Sequence, residues 1–159
     1  MLLSSAITVI IITGGLALFS QSGESPGLEE GGQLSICPDK PNCISSEYPG
    51  DTEHYISPIP FSPEQYNGAM TAIKVSIQGH GGQIQYLKQD YLASTFSSNL
   101  FGFIDDFEAR IDHKQNQIHI RSAARVGYSD FGVNQKRAIT LKTAIERHLN
   151  TKTGTQIDQ

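Results

Sequence analysis

The residues best suited to chemistry lie in two stretches, FIDDFEARID (103–112) and IRSAARVGYSDFGVNQKR (120–137). The first, and the start of the second, alternate as strands and are joined by a polar turn at residues 113–116. Pairing Asp112 with Gln117 sets Ile111 against Ile118, Ala109 against Ile120 and Phe107 against Ser122 on one apolar face. The opposite face then holds Glu108 against Arg121 and Asp106 against Ala123, with Arg125 diagonal to Asp106. A slip of one residue would turn Ile111 outward, so the apolar pattern selects this register. Such charges can form a cross-strand ion-pair lattice. They can also form a site, with Arg121 and Arg125 as forks for a carboxylate, phosphate or sulfated group.

Asp105 shares the core-facing parity of Phe103 and Phe107, so its carboxylate must be paired, capped or at an edge; the expectation is that it orders the turn after residues 99–102. An alternative reading uses Asp105 or Asp106 beside Arg121 and Arg125 as a small hydrolase-like centre. Downstream, Gly132 opens a helix close to Lys136 and Arg137, where free amides and the macrodipole favour an anion. Asp130 can instead cap that helix and take those amides itself.

Cys37 and Cys43 are the chain's two cysteines and close a short loop stiffened by Pro38 and Pro41. Outside the cytoplasm this spacing reads most simply as a disulfide, with free thiols or a redox or metal pair as the other readings. The five histidines show no ligand-like spacing, so no metal and no cofactor is expected. Nucleophile-elbow, P-loop, zincin and dinucleotide signatures do not occur. With 12 Lys+Arg against 16 Asp+Glu and a net charge of -4, the chain lacks the basic surface of a nucleic-acid binder.

The elements that must position these residues are set by the rest of the pattern. Residues 2–19 carry no charge and, at 1.5 Å per residue, would make a helix of about 27 Å, enough to span a bilayer. Residues 1–20 therefore read as a signal peptide or membrane anchor. The first charges after them, Glu24, Glu29 and Glu30, are acidic, so nothing holds the downstream chain on the cytoplasmic side. Residues 21–35, rich in Gly, Ser and Glu, read as a flexible linker. Residues 36–150 form the domain, and 151–159 a disordered tail.

Within the domain, six of the seven prolines fall in residues 36–63, which predicts an extended strap. Ser62, Pro63 and Gln65 make a capping box for a helix whose stripe is Tyr66, Ala69, Met70, Ile73 and Ile77, stopped at residues 79–82. Strand patterns cover 84–87, 91–98, 103–112 and 117–124. A last helix runs over 133–149 with the stripe Ala138, Leu141, Ile145 and Leu149. The expected fold is α+β: a four-stranded antiparallel meander with two helices on one face, behind a Pro-rich strap.

CPDKPNCISSE (37–47), together with the stretches 103–112 and 120–137, resembles the family named for domain of unknown function 1499 over residues 36–149. The motif positions are Cys37, Pro38, Pro41, Asn42, Cys43, Ser45 and Ser46, then Asp105, Asp106 and Glu108. The last block holds Arg121, Ser122, Arg125, Gly127, Asp130, Gly132, Asn134 and Arg137, with Ala124 where a Ser is expected. The resemblance implies a small domain of membrane-associated or exported proteins with no established activity. The combined expectation is a non-enzymatic envelope module on the extracytoplasmic (periplasmic or lumenal) side, membrane-anchored or secreted. Its ligand-binding residues would be Arg121, Arg125, Asp106, Glu108, Asp130, Asn134 and Arg137. They would hold an anionic small molecule, a glycan or an envelope protein.

Overall fold

Four of the strands follow the alternation that the sequence carries. In the computed structural model, which describes residues 15–98 and 102–154, β3 (Gln83–Leu87), β4 (Tyr91–Ser97), β5 (Ile104–Asp112) and β6 (Gln117–Ala124) form an antiparallel meander. The β5–β6 register is the one chosen by apolar pattern: Glu108 pairs with Arg121, Ile111 with Ile118, and Asp112 with Gln117. The sheet is wider than the expected four strands. The strap adds β1 (Cys43–Ser45) and β2 (Ile59–Pro60), both antiparallel to the free edge of β6. A Pro-rich segment can do this only in short pieces at an edge, where its missing amides leave no ladder bond unmade.

Two helices cover one face. Ser62 donates its amide to Gln65 Oε1 at 2.8 Å, and a 3-10 turn (Pro63–Gln65) leads into α1 (Tyr66–Gly79). Ile73 and Ile77 of α1 join Leu141 and Ile145 of α2 (Val133–Gly154) against Leu92, Phe107, Ala109, Ile118 and Ile120 in one buried core. The chain leaves α1 through Gly82. A Cβ there would come within 2.5 Å of Ile77 Cγ2 and 2.6 Å of Phe96, so only glycine lets β3 start this close to the helix.

The Cys37–Cys43 disulfide is formed and packs on Ala123 beside β1. It ties the strap's entry to the sheet edge.

The apolar leader lies for the most part outside the described residues. Residues 15–21 are helical, with Leu18 and Phe19 exposed. Among the described residues no helix is long and apolar enough to cross a membrane. Residues 21–35, expected as a flexible linker, lie instead, from Ser22 onward, across the second face of the sheet. Ser25 and Gly27 bond to strand carboxylates there, and Leu34 is fully buried against Tyr91 and Ala93. No apolar period marks this segment because its contacts are polar and backbone-mediated, apart from Leu34.

Candidate functional site

Strand alternation sorts the predicted site residues into two groups on opposite faces of the sheet. On the face away from the helices, Arg125 makes a two-pronged contact with Asp106, Nε to Oδ2 at 2.9 Å and Nη2 to Oδ1 at 2.7 Å. Asp106 also accepts from Ser25 Oγ at 2.7 Å, and Arg125 Nη1 donates to the carbonyl of Ser20 at 3.0 Å. One step along, Arg121 donates to Glu108 Oε2 at 3.1 Å through Nη1. Its buried Nε has no partner among the described residues, so this pair is single-pronged. Glu108 further accepts from Tyr91 Oη at 2.7 Å and from the amide of Gly27 at 3.0 Å.

A third cluster continues the row. Arg110 forks onto Glu47 from the strap, using both Nε and Nη2. Glu47 also takes the amide of Leu34, and His119 lies beside it with Nδ1 3.5 Å from Oε2. Sequence reasoning passed over Arg110, His119 and Glu47. The register already carried the signal for the first two, since Arg110 faces His119 two places beyond Glu108 and Arg121. Glu47 comes from a strap whose path no local pattern fixes.

The second group sits between sheet and α2. Asp105 accepts from Arg137 Nη2 at 2.8 Å, so a helix arginine is its partner, while residues 99–101 of the turn it is expected to order lie outside the described residues. Arg137 also donates to Asn134 Oδ1, which accepts from Ser122 Oγ at 2.6 Å, and its guanidinium stacks 4.7 Å from the Phe96 ring. Asp130 takes the amides of Gly132 (3.0 Å) and Asn134 (2.7 Å) together with Asn134 Nδ2. The helix start is thus occupied by the chain's own carboxylate.

Burial shapes the protonation of these groups. It raises the Glu108 and Asp105 carboxyls, against the pull of Tyr91 and Arg121 on the first and of Arg137 on the second. The Tyr91 hydroxyl is driven up by burial and by the Glu108 carboxylate it donates to. Raised carboxyls in a cleft can mark catalysis. Here Glu108 is fully buried, and Asp105 and Asp106 point to opposite faces, so of the two only Asp106 stands with Arg121 and Arg125, bonded to Arg125. Among the described residues no three His, Cys, Asp or Glu side chains gather as a metal site.

Beside the ionic row an open groove of about 820 Å³ runs between residues 21–28 and the outer side of β3 and β4. Arg125 is part of its lining. Gln83, Gln85, Tyr86, Lys88 and Thr95 form the strand wall, and Glu24 stands on the segment opposite. Tyr86 leans on Tyr91 with ring centroids 5.9 Å apart, and Gln85 Nε2 donates to Thr95 Oγ1 at 3.0 Å.

Residues 33–145 match the model of the family described as "Protein of unknown function (DUF1499)". The chain belongs to that family. No curated protein matches it.

Proposed function

Starting from membership in a family that carries no assigned activity, we propose that this chain is a non-enzymatic binding module of the cell envelope. Its domain stands on the extracytoplasmic side, membrane-anchored or released, and takes a glycan in the groove beside Arg125. The uncharged leader and the acidic residues after it support the location, and the disulfide agrees with an oxidising compartment.

The observation that carries the ligand class is the lining of the groove. Exposed amides of Gln83 and Gln85, the Thr95 hydroxyl and the half-exposed Tyr86 ring offer paired donors and acceptors next to an aromatic face. Lys88 at the same wall suits a glycan that also bears a carboxylate or sulfate. The expected Arg-rich edge is matched internally, Arg121 by Glu108, Arg125 by Asp106 and Arg137 by Asp105, and Arg125 lines the groove from within its ion pair. The hydrolase-like alternative would use Asp105 or Asp106 as a base, and each is already engaged, Asp105 by Arg137 and Asp106 by Arg125 and Ser25.

Titration of the full chain with neutral and acidic oligosaccharides, followed by calorimetry, tests the reading. Tyr86→Ala, at an exposed position, is expected to weaken binding about tenfold, or roughly 1.4 kcal/mol. An absence of binding, or binding untouched by Tyr86→Ala and Gln85→Ala, overturns it.

A further inference from the structure

The loop between β6 and α2 carries a feature that the fold does not explain. Phe131 is 98% exposed and holds a positive φ of 54°. A bulky residue in the left-handed region costs free energy, and the contacts that would normally offset it are absent, since the ring meets almost no protein. Tyr128 in the same loop and Val133, the first residue of α2, are exposed as well. The only charged group between residues 126 and 135 is Asp130, and its oxygens are turned inward onto the amides that start α2. The tip is therefore apolar and aromatic, with no outward charge.

Its position gives the occupant. Arg125, three residues before Tyr128, holds the Ser20 carbonyl, and Ser20 Oγ accepts the amide of Ile104 at 3.2 Å. Three Cα steps of 3.8 Å place Tyr128 within about 11 Å of Arg125 along the chain. Ser20 ends the uncharged leader, whose last turn still exposes Leu18 and Phe19. The point where the leader joins the domain and the aromatic tip thus share one end of the sheet. Aromatic side chains with few charges beside them favour the bilayer–water interface.

We propose that the Tyr128–Phe131–Val133 tip is a second contact with the lipid bilayer, seating the domain on the membrane that the leader enters. This rests on the reading of the leader as a retained anchor. With two attachments at one end, the β5–β6 turn at residues 113–116 points away from the membrane. It lies about 24 Å of strand distant, seven residues at 3.4 Å each.

The chain contains no tryptophan, which makes the test direct. Full-length Phe131→Trp and Lys114→Trp are made by cell-free synthesis into phosphatidylcholine nanodiscs, with brominated or plain acyl chains. Emission of Phe131→Trp is expected to shift to the blue and to be quenched by the brominated lipid, with Lys114→Trp unchanged. Equal quenching of both, or of neither, overturns the proposal. So does self-association of the full chain that is lost in Phe131→Ser, which would assign the loop to a second copy. Recovery of the chain with the nanodiscs reports separately on the leader: a chain that does not co-purify removes the anchor reading and this proposal with it. One that does, but stays unquenched, removes this proposal alone.

Discussion

His119 shows how one side chain reports on the covered sheet face. Burial lowers its pKa, with the nearby Arg110 charge adding to the effect and Glu47 opposing it. The unfolded chain therefore takes up a proton near pH 6.5 that the folded chain resists. Between that pH and the lower folded value, the unfolded state binds more protons, so stability falls as the pH drops. One such group contributes a slope of at most about 1.4 kcal/mol per pH unit. Asp105 and Glu108, whose carboxyls are raised, act in the opposite sense, but they are common to wild type and variant. Urea midpoints of wild type and His119→Gln, compared from pH 7 to pH 5, isolate the imidazole. The wild type is expected to lose more stability over that range, and parallel curves would show that His119 is not held neutral. At this scale the sequence was informative wherever strand parity governs: Asp106, Glu108, Arg121 and Arg125 share a face because period two requires it. It required a partner for Asp105 without pointing to the distant helix arginine that serves, and it passed over Glu47, which reaches Arg110 from the strap.

The start of α2 decides between a cap and an anion site. Asp130 accepts from two backbone amides and from the Asn134 side chain, which leaves that terminus already neutralised. Asp130→Ala is expected to lower stability by about 1–2 kcal/mol in chemical denaturation, the usual cost of a lost helix cap. Added phosphate or sulfate is not expected to restore it beyond the general effect those salts have on the wild type. A specific rescue at millimolar anion would mean that the terminus binds anions once the carboxylate is gone. The cap was legible because Asp, Gly and the start of an apolar period fall in sequence order there. The two helices and four meander strands were legible for the same reason, each having its own period. β1 and β2 were not, since two or three residues of pairing leave no periodic trace, and their place is set by the disulfide and by the free edge of β6.

In the whole molecule the two sheet faces are closed by different physics. The helix side is sealed by a continuous apolar core, whereas the other side is roofed by residues 20–35. Between Ser20 and Leu34 that roof contains no buried residue. Its grip there comes from Ser25 on Asp106, Gly27 on Glu108 and Arg125 on Ser20. Hydrogen bonds to charged groups contribute about 1.5–3 kcal/mol each, and ordering backbone costs about 1–2 kcal/mol per residue. A segment held this way belongs to the low-stability end of a structure and opens without global unfolding. The Gly27 amide, measured by hydrogen exchange on the full chain, is expected to exchange at least roughly a hundredfold faster than the β5 amides around Phe107. Opening would bare Asp106, Glu108, Arg121 and Arg125 and widen the groove that shares this wall. Saturating oligosaccharide, if it binds across the groove to residues 21–28, should slow exchange at Gly27 while leaving β5 unaffected. Equal exchange rates at Gly27 and in β5 would mean instead that the roof unfolds only with the domain, and that the ionic row is a permanent part of the core.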